Sequence, residues 1–119
     1  MSMLRGFALI VILKLLEDQK MDKKIRIHKY EMKFKDKGKI KISGRVLKIL
    51  NVGEQGEKLF IWVVVKTDDT PCFVHYKIKG TGDAVHIDTD NFLINFFKTV
   101  QMENGLVWHI SIDPKTTEE

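Results

Sequence analysis

Two groups of residues in this sequence have the types and spacing to hold an anion. From Lys20 to Lys48 lysines and arginines recur every few residues, opposed only by Asp22, Glu31 and Asp36. Such a stretch either forms a solvated face that blocks edge-to-edge strand pairing or presents a phosphate-binding surface. Lysine dominates arginine, so bidentate reading of bases is not indicated. Sequence-specific duplex DNA is therefore not an expected partner. The second group is Gly80-Thr81-Gly82. Its glycines let backbone N–H groups approach a phosphate and its threonine adds a hydroxyl. The same tripeptide also suits a plain turn. It lacks the Gly-Lys-Ser/Thr ending of a P-loop and is no dinucleotide fingerprint.

The aromatic residues Tyr30, Trp62, Tyr76 and Trp108 are core candidates by type. Any that reach a ligand could stack a base, which tolerates sequence variation. His28, His75, His86 and His109 are scattered, with no spacing that forms a metal site. Cys72 and His75 could pair as nucleophile and base only if they shared a face, and an odd offset along a strand separates them. No paired carboxylates stand out. The residues give no catalytic set, no metal site and no cofactor motif, so an enzyme is not expected.

The elements that must position these groups read as strands. From Ile25 the apolar pattern has period two. It slips by one near His28-Lys29, which predicts a bulge, and continues through Tyr30, Met32 and Phe34. On that pattern Lys29, Lys33 and Lys35 share one face, and Lys39 and Lys41 another. Turns are expected at Asp36-Lys37-Gly38, Ser43-Gly44, Gly53 to Gly56, Asp68 to Pro71, Gly80 to Asp83 and Asn104-Gly105. Leu59 to Val65 is short, apolar and β-branched, the pattern of a central strand covered on both faces. Residues 84–90 are ambiguous, and Phe92 to Gln101 and Leu106 to Ile112 complete the set. About seven short strands without a crossover helix predict a mainly β fold, an antiparallel sandwich or partly open barrel.

The chain has 119 residues, 44% of them hydrophobic and 30% charged, with a net charge of +4. That describes one folded domain rather than two, and excludes a disordered chain. Its one cysteine excludes an intrachain disulfide. Residues 1–20 differ from the rest. The apolar run Phe7 to Leu13 is too short for a membrane span, and the small-residue cleavage site of a secretory signal is missing. This extension is read as a helix or as non-native: Leu16-Glu17-Asp18 can be encoded by bases containing GGAGGA, a ribosome-binding site ahead of a start at Met21. The β domain is then expected at 21–113 and a flexible tail at 114–119.

Three segments in order carry a resemblance: Ile27-His28-Lys29-Tyr30, then Gly80-Thr81-Gly82, then Thr99-Val100-Gln101 with Gly105-Leu106-Val107-Trp108-His109. Together they resemble a family of small proteins of unknown function encoded by tailed phages. That family has a Lys-Tyr segment after its methionine, a Gly-Thr-Gly-His loop and a Leu-Val-(Phe/Trp)-His strand. Asp83 stands where the family has histidine, and Ser43-Gly44 replaces a proline-containing turn. The resemblance implies a phage accessory protein in the host bacterial cytoplasm. By analogy with phage sponges it would sequester a cyclic dinucleotide or cyclic mononucleotide and so evade antiviral defence.

On that reading the ligand contacts are Tyr30, His75, Lys77, Lys79, Gly80, Thr81, Gly82, Trp108 and His109. Lysines neutralise phosphate, the glycine turn cradles it, and an aromatic ring stacks a base. The protein is expected to be a homo-oligomer with a small nucleotide ligand and no stable membrane span. The alternative is a phage structural or protein-interaction module without a small ligand. General binding of single-stranded nucleic acid through the basic stretch is a third reading.

Overall fold

In the computed structural model the described residues are 24–86 and 91–118. The expectations for residues 1–20, and part of the ambiguous segment, lie outside them. The described residues form eight antiparallel strands and no helix: β1 (Ile25–Met32), β2 (Lys37–Ile42), β3 (Arg45–Gln55), β4 (Lys58–Lys66), β5 (Cys72–Gly80), β6 (Phe96–Gln101), β7 (Val107–Ile112) and β8 (Thr117–Glu118). No helix among them is long and apolar enough to cross a membrane.

Two sheets pack face to face. One has the order β1-β4-β3; the other runs β2-β5-β7-β6, with β8 also on β5. They make a sandwich and do not close into a barrel. β4 shows why. Its alternate residues Leu59, Ile61, Val63 and Val65 are wholly buried, each contributing about 1.5–3 kcal/mol relative to exposure. Across the core they meet Ile40, Ile42, Val74, Ile78 and Ile110 of the second sheet. Side chains fasten the seams between the sheets. Lys98 Nζ donates to Asn51 Oδ1 at 2.6 Å, and the Glu103 N–H donates to Glu54 Oε1 at 2.7 Å. On the opposite seam Tyr76 Oη donates to the Lys33 carbonyl at 2.9 Å, and the Tyr30 hydroxyl lies 3.2 Å from Ser43 Oγ.

Several local expectations are corrected. β1 pairs β4 without interruption from Ile25↔Lys66 to Met32↔Leu59, so it has no bulge. Tyr30 and Met32 face the core, and Ile25 and Ile27 therefore face outward with Lys29. The register shifts fall in β3 and β6 instead. Because β1 ends at Met32, Lys33 and Lys35 lie in a connection and share no strand face with Lys29. The β3–β4 turn sits at Gly56-Glu57, later than expected, with φ of 58° and 68°. Two positive φ values in a two-residue connection are the type I′ hairpin turn, whose twist matches the flanking strands. Residues 91–95 form a turn rather than the start of a strand, closed by Asn95 N–H donating to the Asn91 carbonyl at 3.0 Å. Thr117 and Glu118, in the segment expected to be a flexible tail, pair with Phe73 and Cys72. The outward residues of β4, Phe60, Trp62 and Val64, are only half-buried, so its second face is not fully covered.

Candidate functional site

The site grows from the outer face of the five-stranded sheet. Inward residues of β2 and β5 are fixed by the buried pairs Ile40↔Val74 and Ile42↔Cys72. Alternation then sends Lys37, Lys39 and Lys41 outward on β2, and Phe73, His75, Lys77 and Lys79 outward on β5. Register sets Lys37 opposite Lys77 and Lys39 opposite His75. On the other side of β5, Lys77 meets Ser111 and Lys79 meets His109. One sheet face thus carries five lysines and two histidines drawn from three strands.

Pro114 opens this face. β7 and β8 would be one strand along β5, but proline has no N–H to continue the ladder. Pairing stops at Ile112 and resumes at Thr117. The Asp113 N–H still reaches the His75 carbonyl at 2.9 Å, and His75 Nε2 lies 2.8 Å from Thr117 Oγ1. Over the neighbouring part of the sheet folds the turn at 91–95, tied down where Ile112 N–H donates to the Asn95 carbonyl at 2.9 Å. Between bulge and turn is a hollow of about 350 Å³, lined by Lys37, His75, Lys77, Asn91, Asn95, Ser111, Asp113 and Thr117. Ser111 is buried beneath it. The hollow thus gathers cations, amides, hydroxyls and one imidazole, groups that donate hydrogen bonds to anionic oxygens where they meet one. Asp113 is the one carboxylate there, and its Oδ1 accepts the Lys115 N–H at 2.9 Å.

The expected contacts divide over three places. His75 and Lys77 line this hollow. Lys79, Gly80, Thr81, Gly82 and His109 line a second one of about 410 Å³, whose walls include Val85, Phe92, Leu93 and Phe96. Both nitrogens of His109 are engaged by hydroxyls: Nε2 lies 2.9 Å from Thr81 Oγ1, and Nδ1 2.9 Å from Thr99 Oγ1. In the Gly80-Thr81-Gly82 turn the Gly80 N–H is already engaged, donating to Asp83 Oδ2 at 2.7 Å.

Tyr30 belongs to the other sheet, where its hydroxyl lies 3.1 Å from His28 Nδ1 and accepts the Ser43 N–H. Trp108 faces inward, packs on Phe34 at 5.5 Å between centroids and supports Gly80 from below. Cys72 is buried, with its thiol donating to the Gly44 carbonyl, and lies on the face of β5 opposite His75. Among the described residues no group of three or more His, Cys, Asp or Glu side chains is placed to hold a metal ion.

Sequence reasoning missed Asn91, Asn95, Ser111, Asp113 and Thr117, and treated Lys37 only as one cation among many. Of these, only Asp113-Pro114 left a local signal, as the end of a strand. The basic stretch does not form one surface: Lys37, Lys39 and Lys41 lie on the five-stranded sheet, whereas Lys29, Arg45 and Lys48 lie on the outer face of the other.

No curated protein and no solved structure matches this chain. A family model described as a domain of unknown function, DUF7352, matches residues 23–119, which takes in both sheets and both hollows. The chain belongs to the DUF7352 family.

Proposed function

We propose that this protein is a non-catalytic binding protein that holds a small phosphorylated nucleotide on the outer face of its five-stranded sheet. The observation that carries the reading is the Lys37–Lys77 cross-strand pair beside His75 and Ser111 in a hollow of about 350 Å³. Two lysines on facing strands can share one phosphate between them through charge-assisted hydrogen bonds. The volume is at the lower end for small-ligand sites, room for the phosphate end of one nucleotide. The ordered motifs that resemble small tailed-phage proteins support the biological part of the proposal. There the protein sequesters a nucleotide signal in the host cytoplasm and so blunts antiviral defence.

The test is calorimetric titration with linear and cyclic mononucleotides and with cyclic dinucleotides. One of them is expected to bind at micromolar concentration or tighter, with affinity falling as salt rises. Lys77→Ala and Lys37→Ala are each expected to weaken it roughly tenfold, the scale of one charge-assisted contact. Absence of heat and of thermal stabilisation with every compound at high micromolar concentration overturns the proposal.

A second reading, a protein-interaction module, is favoured by one separate observation. The outer face of β1-β4-β3 carries Ile27, Phe60, Trp62 and Val64, and Ile27 is 64% exposed. Glu31 lies at one end of this face, and Lys66 with Arg45 at the other. These end charges are paired within the chain, Glu31 with Lys33, Arg45 with Asp69 and Lys66 with Asp68, so two copies packed about a two-fold axis would gain from covering Ile27 and its apolar neighbours rather than from new ion pairs.

A further inference from the structure

The outer face of the five-stranded sheet is divided by polarity, and the division has a structural origin. Residues 91–96 make one turn in which positions four apart lie on the same side. Asn91 and Asn95 line the hollow that holds Lys37, His75 and Lys77. Phe92 and Phe96 line the hollow beside Gly80–Gly82, with ring centroids 6.4 Å apart. Leu93 joins the second group and is 58% exposed; Phe96 is 46% exposed. One turn therefore gives one hollow an amide wall and the other an aromatic wall.

A third hollow of about 460 Å³ joins the two. It shares Lys37 and Lys77 with the first and Lys79 and Asp83 with the second. Asp36 lines it as well. Lys77 and Lys79 are two residues apart on β5, about 7 Å at the usual rise of a strand. In sequence along this face stand cations with amides and hydroxyls, then carboxylates among cations, then exposed aromatic and aliphatic surface.

Resting on the reading above, we propose that the ligand is a linear nucleoside 5′-phosphate bound in one polarity. Its phosphate lies over Lys37 and Lys77. Its sugar hydroxyls donate to Asp36 and Asp83, acceptors that would repel a second phosphate. Its base covers Phe96 and Leu93. A purely anionic ligand would leave that apolar surface in water. A cyclic dinucleotide has a base on either side of each phosphate; at the Thr117 end of this face the one outward ring, Phe73, is already covered by Lys39 Nζ at 4.5 Å, so the apolar surface open to a base is that of Phe96 and Leu93.

The experiment compares AMP, GMP, CMP and UMP with ribose 5-phosphate, inorganic pyrophosphate and cyclic di-AMP on the full chain. At least one nucleoside monophosphate is expected to bind roughly tenfold tighter than ribose 5-phosphate, the increment of one stacked base. Phe96→Ala, with an unchanged circular dichroism spectrum, is expected to remove that gap and leave ribose 5-phosphate affinity as it was. Equal affinity of nucleotide and ribose 5-phosphate overturns this inference and leaves the phosphate site standing. So does tighter binding of cyclic di-AMP, which supports the sequestration reading while removing the linear ligand. No binding by any phosphorylated compound overturns both.

Discussion

At the scale of single residues, the core side of the proposed site is held by a contact that only glycine permits. Gly38 lies opposite Tyr76 across β2 and β5, and a Cβ there would collide with the Tyr76 ring. The ring is buried over the glycine and its hydroxyl reaches the Lys33 carbonyl, tying the β1–β2 connection to β5. Burial holds the Tyr76 phenol above its ordinary pKa, with the Glu31 carboxylate adding to the effect. The unfolded chain ionises this group first, at about pH 10. Stability is therefore fully present below that pH, and falls as pH rises toward and through the raised folded value. Tyr76→Phe is expected to lose about 1 kcal/mol at neutral pH, the scale of one hydrogen bond, and to flatten the alkaline decline. Urea denaturation at pH 7 and at pH 10.5 checks both parts. A parallel decline in the two proteins would show that Tyr76 does not set it.

At the scale of elements, register decides which residues face the core and which face solvent. β4 reads correctly because all its inward positions are apolar. β1 misleads because Ile25 and Ile27 are apolar but outward, and the sequence could accommodate them only by adding a bulge. The partner strand removes that freedom: pairing with β4 is continuous, so the inward set is Tyr30 and Met32. The β3–β4 turn carries a similar lesson. Gly53 looked like part of a turn, but the left-handed positions are Gly56 and Glu57. Glu57 has a Cβ in a conformation that disfavours one by roughly 1–2 kcal/mol. Glu57→Gly is expected to raise stability by about 1 kcal/mol, or about 4–8 °C in Tm for a domain of this size. A Tm unchanged or lower in a calorimetric scan would count against strain at that turn.

At the scale of the whole molecule, the sandwich has two outer faces of different chemistry. One is cationic and hollowed; the other is apolar around Ile27, Trp62 and Val64. The second face bears on the proposed self-association rather than on the proposed ligand. Wild-type protein is expected to sediment as a dimer at tens of micromolar, and Ile27→Asp as a monomer with the same circular dichroism spectrum. Because Ile27 is exposed and outward, the substitution leaves the core intact. A monomeric wild type at high micromolar concentration would remove the interface, without touching the proposed nucleotide site on the opposite face.

The sequence by itself determined the class of this protein: period-two strands, glycine and proline turns, a core drawn from Leu59 to Val65, and an excess of lysine. Those properties are local, since a strand's alternation and a turn's positive φ depend on neighbouring residues. His75, Lys77 and Lys79 could be named as a cationic strand face for the same reason. Only the tertiary structure decided what stands across from them. Lys37, Asn95, Ser111 and Thr117 come from four separate segments, and they meet His75 and Lys77 through antiparallel pairing, a ladder broken at Pro114 and a turn folded back over β7. Contacts between distant segments depend on register and on closure of the sandwich, and neither is written in the spacing of any one strand.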